Sequence, residues 1–184
     1  VSDYDDSNFI SNMITIKNTS GTNGIAVKAG MTAGKTYKVT FNYNLLGGSQ
    51  FADSNGSGIT VRMYTDYKMN VLGAANYSEN CGYTALDISG WKVYTAALTP
   101  SVDCANGRLA IILNGGASEQ QIAISDLKMC EEGSETNLLS IDPCAASLNG
   151  YYCKATQGPI GDITEFTNGG LTVTWSQRND WDFQ

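Results

Sequence analysis

The chain has 184 residues, 42% of them hydrophobic and 16% charged, which suits one packed domain and gives too little charge density for disorder. Eighteen acidic against 11 basic residues leave a net charge of -7, a balance that repels phosphate backbones and anionic lipid, so neither nucleic acid nor a membrane is an expected partner. Histidine is absent, which removes the usual base of nucleophilic triads and the commonest transition-metal ligand, and with them serine hydrolases and most zinc enzymes.

No apolar run approaches the roughly 20 residues that span a bilayer. The opening VSDYDDSNF lacks the basic-then-apolar layout of a signal peptide, so an export signal is expected outside this chain. Apolar positions then recur at period two far more often than at period 3.6. Residues 13–17 and 25–28 read as short strands. Residues 36–46 give the clearest one, with Tyr37, Val39, Phe41 and Tyr43 on one face and Thr36, Lys38, Thr40 and Asn42 on the other. Residues 58–65 follow. Residues 67–84 alternate poorly, carry turn residues and read as a long irregular loop. Strands resume at 91–98, 108–113 and 121–129. The acidic, polar CEEGSETN at 130–137 marks a linker or module boundary, and a last strand is read at 170–176. About eight to ten short strands and no helix predict an all-β, two-sheet antiparallel β-sandwich of the jelly-roll kind, spanning 1–184 as a single domain.

Cys81, Cys104, Cys130, Cys144 and Cys153 show no CxxC spacing and have no histidine to complete a zinc site. Disulfides are expected: Cys144 with Cys153 around SLNGYY, Cys81 with Cys104 across one strand-like stretch, and Cys130 left over. The alternative is a set of buried free thiols in a reducing compartment. Three N-x-S/T sequons, at Asn18, Asn55 and Asn76, read as chance in an Asn- and Ser-rich chain.

Three pieces stand in order: AGKTYKVTFNYNLL, SGWKVYTAALTP, and GRLAIILNGG followed by IAISDLKM. Together they resemble the jelly-roll carbohydrate-binding modules of families four, sixteen and twenty-two, over roughly residues 20 to 130. Those modules open with an NLL strand, whereas here NLLS stands at 137–140, after the final strand. The resemblance therefore implies a circular permutation, with 138–184 supplying the opening strands of its own sandwich, or a strand exchange with a neighbouring copy. It also implies a structural calcium near Asp126 of the last strand, with Asp142 as the nearest acidic partner. The plain alternative for Asp126 is a strand-end residue that caps a turn.

Sugars present apolar C–H faces edged by hydroxyls, so a binding site needs aromatic rings beside amides, carboxylates or arginine. TWSQRNDWDF offers Trp175, Gln177, Arg178 and Trp181, with Trp175, Gln177 and Asn179 on one strand face; the competing reading makes one tryptophan a core plug. VRMYTDYKMN offers Arg62 and Tyr64 on one face and Tyr67 on the other, against a tyrosine simply packed in the sandwich. Tyr77 and Tyr83 are possible lip residues of the loop, while Trp91 and Tyr94 are expected to pack. No acid stands out as a raised-pKa catalytic group, so a glycosidase is disfavoured and no catalytic residue is assigned. The expected function is a secreted, non-catalytic carbohydrate-binding module for plant or cell-surface polysaccharide, tethered to a catalytic domain or surface. The alternative is a structural or adhesive subunit of a filament, appendage or phage particle, assembled by strand exchange with a neighbouring copy.

Overall fold

The computed structural model describes residues 10–19, 22–47, 58–64, 78–84, 90–114, 120–144, 152–154, 163–166 and 171–179. Along them run β1 (Ile10–Asn18), β2 (Thr22–Lys28), β3 (Tyr37–Gly47), β4 (Gly58–Tyr64), β5 (Ser78–Thr84), β6 (Lys92–Leu98), β7 (Arg108–Asn114), β8 (Gln120–Glu131), β9 (Tyr152–Lys154), β10 (Ile163–Phe166) and β11 (Leu171–Asn179). They form a five-stranded sheet in the order β11-β1-β8-β3-β6 and a six-stranded sheet in the order β5-β4-β7-β2-β10-β9. Pairing is antiparallel except between β9 and β10. The architecture is a two-sheet jelly-roll sandwich. No helix among the described residues is long and apolar enough to cross a membrane.

The period-two pattern places the core. Tyr37, Val39, Phe41 and Tyr43 of β3 are all buried while Lys38 between them is exposed, as the pleat requires. Phe41 stacks on Tyr94 of β6 with ring centroids 4.6 Å apart, an offset pair in the favourable range. Facing them from the other sheet are Ile25 and Val27 of β2, Ile59, Val61 and Met63 of β4, and Leu109, Ile111 and Leu113 of β7. Trp91 is buried as well. Between the sheets at one end, the Asn23 amide donates to Asn18 Oδ1 at 2.6 Å, joining β2 to β1. Asn18 is fully buried, so its sequon is closed to a glycan.

The C-terminal segment completes both sheets of its own chain. β11 pairs with β1 over nine positions, from Ile10 opposite Asn179 to Asn18 opposite Leu171, and β10 pairs with β2. Leu139, Cys144 and Leu171 share one core with Ile14, Ile16 and Phe41. The stretch read as a linker folds straight back: Asn137 Oδ1 accepts from the amides of Met129 and Leu139, both at 3.2 Å, and Leu139 bridges to Ala29.

Three expectations change. Part of the stretch read as an irregular loop is the edge strand β5, whose register against β4 slips between Thr60 and Arg62; that β-bulge breaks the alternation by which a strand is recognised. Strands β9 and β10, with three and four residues, are too short to carry a period. The disulfide pairing is also overturned, because Cys104 and Cys144 are free, buried thiols and Cys130 is a free, half-buried one. Cys104 is held by backbone pairing with Met31 (3.0 and 2.8 Å). The Cys144 thiol donates to the Ile124 carbonyl at 3.5 Å. Both fill space as small apolar residues.

Candidate functional site on the six-stranded sheet

Alternation that sends Ile59, Val61 and Met63 inward sends Thr60, Arg62 and Tyr64 to the outer face of the six-stranded sheet. Register then assembles the face across three strands. Tyr64 lies opposite Arg108 on β7, which lies opposite Lys28 on β2; one row along, Arg62 lies opposite Ala110, which lies opposite Ala26. Tyr64, Ile112, Ala26 and Ala110 form a small apolar cluster of their own on this face, separate from the main core. Gly107, just before β7, makes the close approach possible: a Cβ there would collide with Met63 Cε and come within 2.8 Å of the Ala29 carbonyl and 2.9 Å of the Tyr64 carbonyl.

Most of the face is buried: Ala26, Tyr64, Arg108, Ala110 and Ile112 are all at most 5% exposed, while Arg62 is half-buried and Lys28 is exposed. Tyr64 is 4% exposed, and the Arg62 guanidinium carbon sits 6.0 Å from the centroid of its ring, within reach of a cation–π contact. Tyr64 Oη and Arg62 Nε are buried without a hydrogen-bond partner. Such atoms cost about 1–3 kcal/mol each, and in native proteins they mark strain, ordered water or a function. The alternation of Arg62 and Tyr64 is therefore as the sequence predicts, but the ring lies under cover rather than as an open platform. Tyr67 lies outside the described residues.

Trp175 belongs to a different setting. On β11 it stands opposite the core residue Ile14, packs half-buried against the main core, and donates its indole N–H to the Pro143 carbonyl at 3.0 Å. Its inner face and its only polar atom are thus committed within the protein. The backbones of Gln177 and Arg178 continue β11, opposite Asn12 and Ser11. Their side chains and Trp181 lie outside what is described.

Asp126 sits in a register slip of β8 against β3 with φ of 52°. This left-handed backbone is one that Asp tolerates better than most residues. Its Oδ2 accepts from the Asn42 amide at 3.0 Å. Asp142 Oδ1 accepts from the Cys144 amide at 2.9 Å, an Asx-type turn. Burial pushes the Cys144 thiol up to about 12, and the nearby charges of Asp142 and Asp126 add to the rise. Both charges thus act on one buried thiol. Among the described residues no group of three or more His, Cys, Asp or Glu gathers as a metal cage. The two aspartates are hard oxygen donors of the type calcium takes, and calcium takes six to eight such oxygens.

Lys28 and Arg108 carry much of the outer face and have no sequence signal of their own. Each is an ordinary strand-end cation until the strand order β4-β7-β2 puts them in one row with Tyr64.

The two-sheet jelly-roll sandwich is a fold that solved carbohydrate-binding modules also have. Among solved structures the chain is similar to the apo form of the PbXyn10C CBM, with a TM-score of 0.53 at 8% identity, over 98% of this chain and 94% of that one. Looser likenesses, each with a TM-score of 0.40, are to a family 16 carbohydrate-binding module-2 (14% identity; 62% of this chain, 74% of that one) and to an arabinose-bound MgGH51 α-L-arabinofuranosidase (17% identity; 64% of this chain, 19% of that one). No protein-family model and no curated protein matches the sequence. What the first of these shares with the chain is the fold.

Proposed function

We propose that this chain is a non-catalytic carbohydrate-binding module, acting outside the cell on plant or cell-surface polysaccharide and made effective by tethering to an enzyme or surface. The observation that carries the reading is the outer face of the six-stranded sheet. There Tyr64 and Arg62 hold buried polar atoms without partners beside an aromatic ring, the mixture of donors and apolar surface that sugar recognition uses. Tyr67 follows β4 in sequence, and Gln177, Arg178 and Trp181 belong to the same reading as further candidate contacts with the sugar. Asp126 and Asp142 contribute oxygens to a structural calcium that stiffens the β8 bulge. The assembly-subunit alternative draws less support, since β10 and β11 already find their partners within the chain.

Affinity electrophoresis against a panel of soluble and insoluble glycans tests the reading, with Tyr64→Phe and Arg62→Gln run beside the parent. Retention of the parent that falls at least about tenfold in either folded variant, the loss of one to two hydrogen bonds, is the expected result. Unchanged retention in both variants moves the site off this face. A parent retained on no glycan ends the module reading in favour of assembly.

A further inference from the structure

Between the two sheets, away from the face just described, lies another buried polar group. Gln120 opens β8 and is 0% exposed, yet its Oε1 and Nε2 both lack a hydrogen-bond partner. Parity sends it inward: it shares the core side of β8 with Ile122 and Ile124, and register sets Ile122 opposite Ile16 and Gln120 opposite Asn18 on β1. Asn18 is also 0% exposed and accepts from the Asn23 amide of β2 at 2.6 Å. Amides from β8, β1 and β2 thus come together at one end of the core, where register adds Leu171 opposite Asn18 and Leu113 opposite Asn23. None of these five inward residues carries a charge.

The chemistry of the side chain selects its partner. Oε1 accepts and Nε2 donates, so a cation would answer the first and strand the second, and an anion would do the reverse. A water molecule both donates and accepts, and it is small enough for a site closed to solvent. Buried waters in proteins typically make about three hydrogen bonds to polar groups otherwise left unmatched. Directly opposed side chains of an antiparallel pair have Cβ atoms about 5 Å apart, a gap that two hydrogen bonds of about 2.9 Å in series can bridge. We propose that Gln120 binds an internal water that links its side chain to the buried Asn18–Asn23 pair, completing a polar tie from β8 through β1 to β2 and so from one sheet to the other. This inference stands apart from the carbohydrate-binding reading and survives its failure.

The test is nuclear magnetic resonance on the isotope-labelled full chain, measuring magnetisation transfer from water to the side-chain amide protons. Gln121, half-buried on the outer side of the same strand, is the internal control. A cross-peak with the sign of a long-lived water is expected at Gln120 Nε2 and not at Gln121. Magnetic relaxation dispersion of the solvent, run on the parent and on Gln120→Met, is expected to show one long-lived water fewer in the variant, which keeps the length of the side chain and removes both polar atoms. Thermal melts supply a third readout. A bridged glutamine predicts that Gln120→Met melts a few degrees below the parent, whereas an orphaned one predicts a rise, because the substitution then removes unmatched polar atoms and breaks no bond. Absence of the Gln120 cross-peak in the folded parent overturns the proposal, and this measurement needs no variant. An unchanged count of long-lived waters, or a variant that melts above the parent, overturns it as well.

Discussion

Cys104 shows how burial governs a single side chain here. Burial raises its pKa above the ordinary 9.0, and the neighbouring Asp103 charge adds to the rise. In the unfolded chain the thiol gives up its proton near pH 9, while the folded protein retains it. Above that pH the unfolded state therefore binds fewer protons, and linkage makes stability fall as pH rises through the folded value. The contribution is fully present below about pH 9, and the decline is at most about 1.4 kcal/mol per pH unit for one group. Urea titrations between pH 8 and 11 are expected to show a steeper loss in the parent than in Cys104→Ala, on top of the constant cost of the smaller side chain. Parallel curves would mean the thiol ionises freely. Iodoacetamide at pH 8 should modify the half-buried Cys130 well before Cys104, since only an accessible thiolate attacks.

Strand β11 raises the question at the scale of an element. It is an edge strand joined to the sandwich by its ladder with β1 and by the inward side chains Leu171, Val173 and Trp175. Trp175→Ala is expected to cost about 1–3 kcal/mol, below the 3–5 of a fully buried tryptophan because this ring is only half-buried. Trp175→Phe keeps most of the packing and gives up the bond to Pro143, about 1 kcal/mol. Thermal melts measure both, and glycan retention per folded molecule should be unchanged in Trp175→Phe. A variant that melts like the parent yet loses retention would return Trp175 to the binding site.

The same strand marks what the sequence reveals. Its alternation, like that of β3 and β4, is legible because one side of each faces a core, and Arg62 and Tyr64 follow from it. Which side of Trp175 faces the core is not legible, because that depends on Ile14 lying opposite, a pairing of residues 161 positions apart in the chain. Strand β5 hides behind its bulge, and the row Tyr64, Arg108 and Lys28 exists only once β7 lies between β4 and β2. The free thiols could not be told from bonded ones, since pairing needs a short Cα separation that spacing does not report.

At the scale of the whole molecule, the ties of the segment from Leu138 onward to the rest include the Ala29–Leu139 bridge, the Cys144 thiol on the Ile124 carbonyl, the β10–β2 ladder and the β11–β1 ladder. A calcium held by Asp126 of β8 and Asp142 of this segment would cross-link the two parts beside the Cys144 contact. An ion that binds only the folded state stabilises it by about 2.7 kcal/mol at a hundredfold excess over its dissociation constant, a few degrees of melting temperature for a domain of this size. The melting temperature is expected to rise with millimolar calcium, to fall back with EGTA and to respond little to magnesium, which demands a tighter octahedron. Asp126→Asn keeps a side chain that tolerates the left-handed backbone and can still accept from Asn42, so it removes charge without removing the bulge; its melting temperature should no longer depend on calcium. A parent indifferent to calcium would assign both aspartates to the backbone alone, Asp126 to the bulge and Asp142 to its turn.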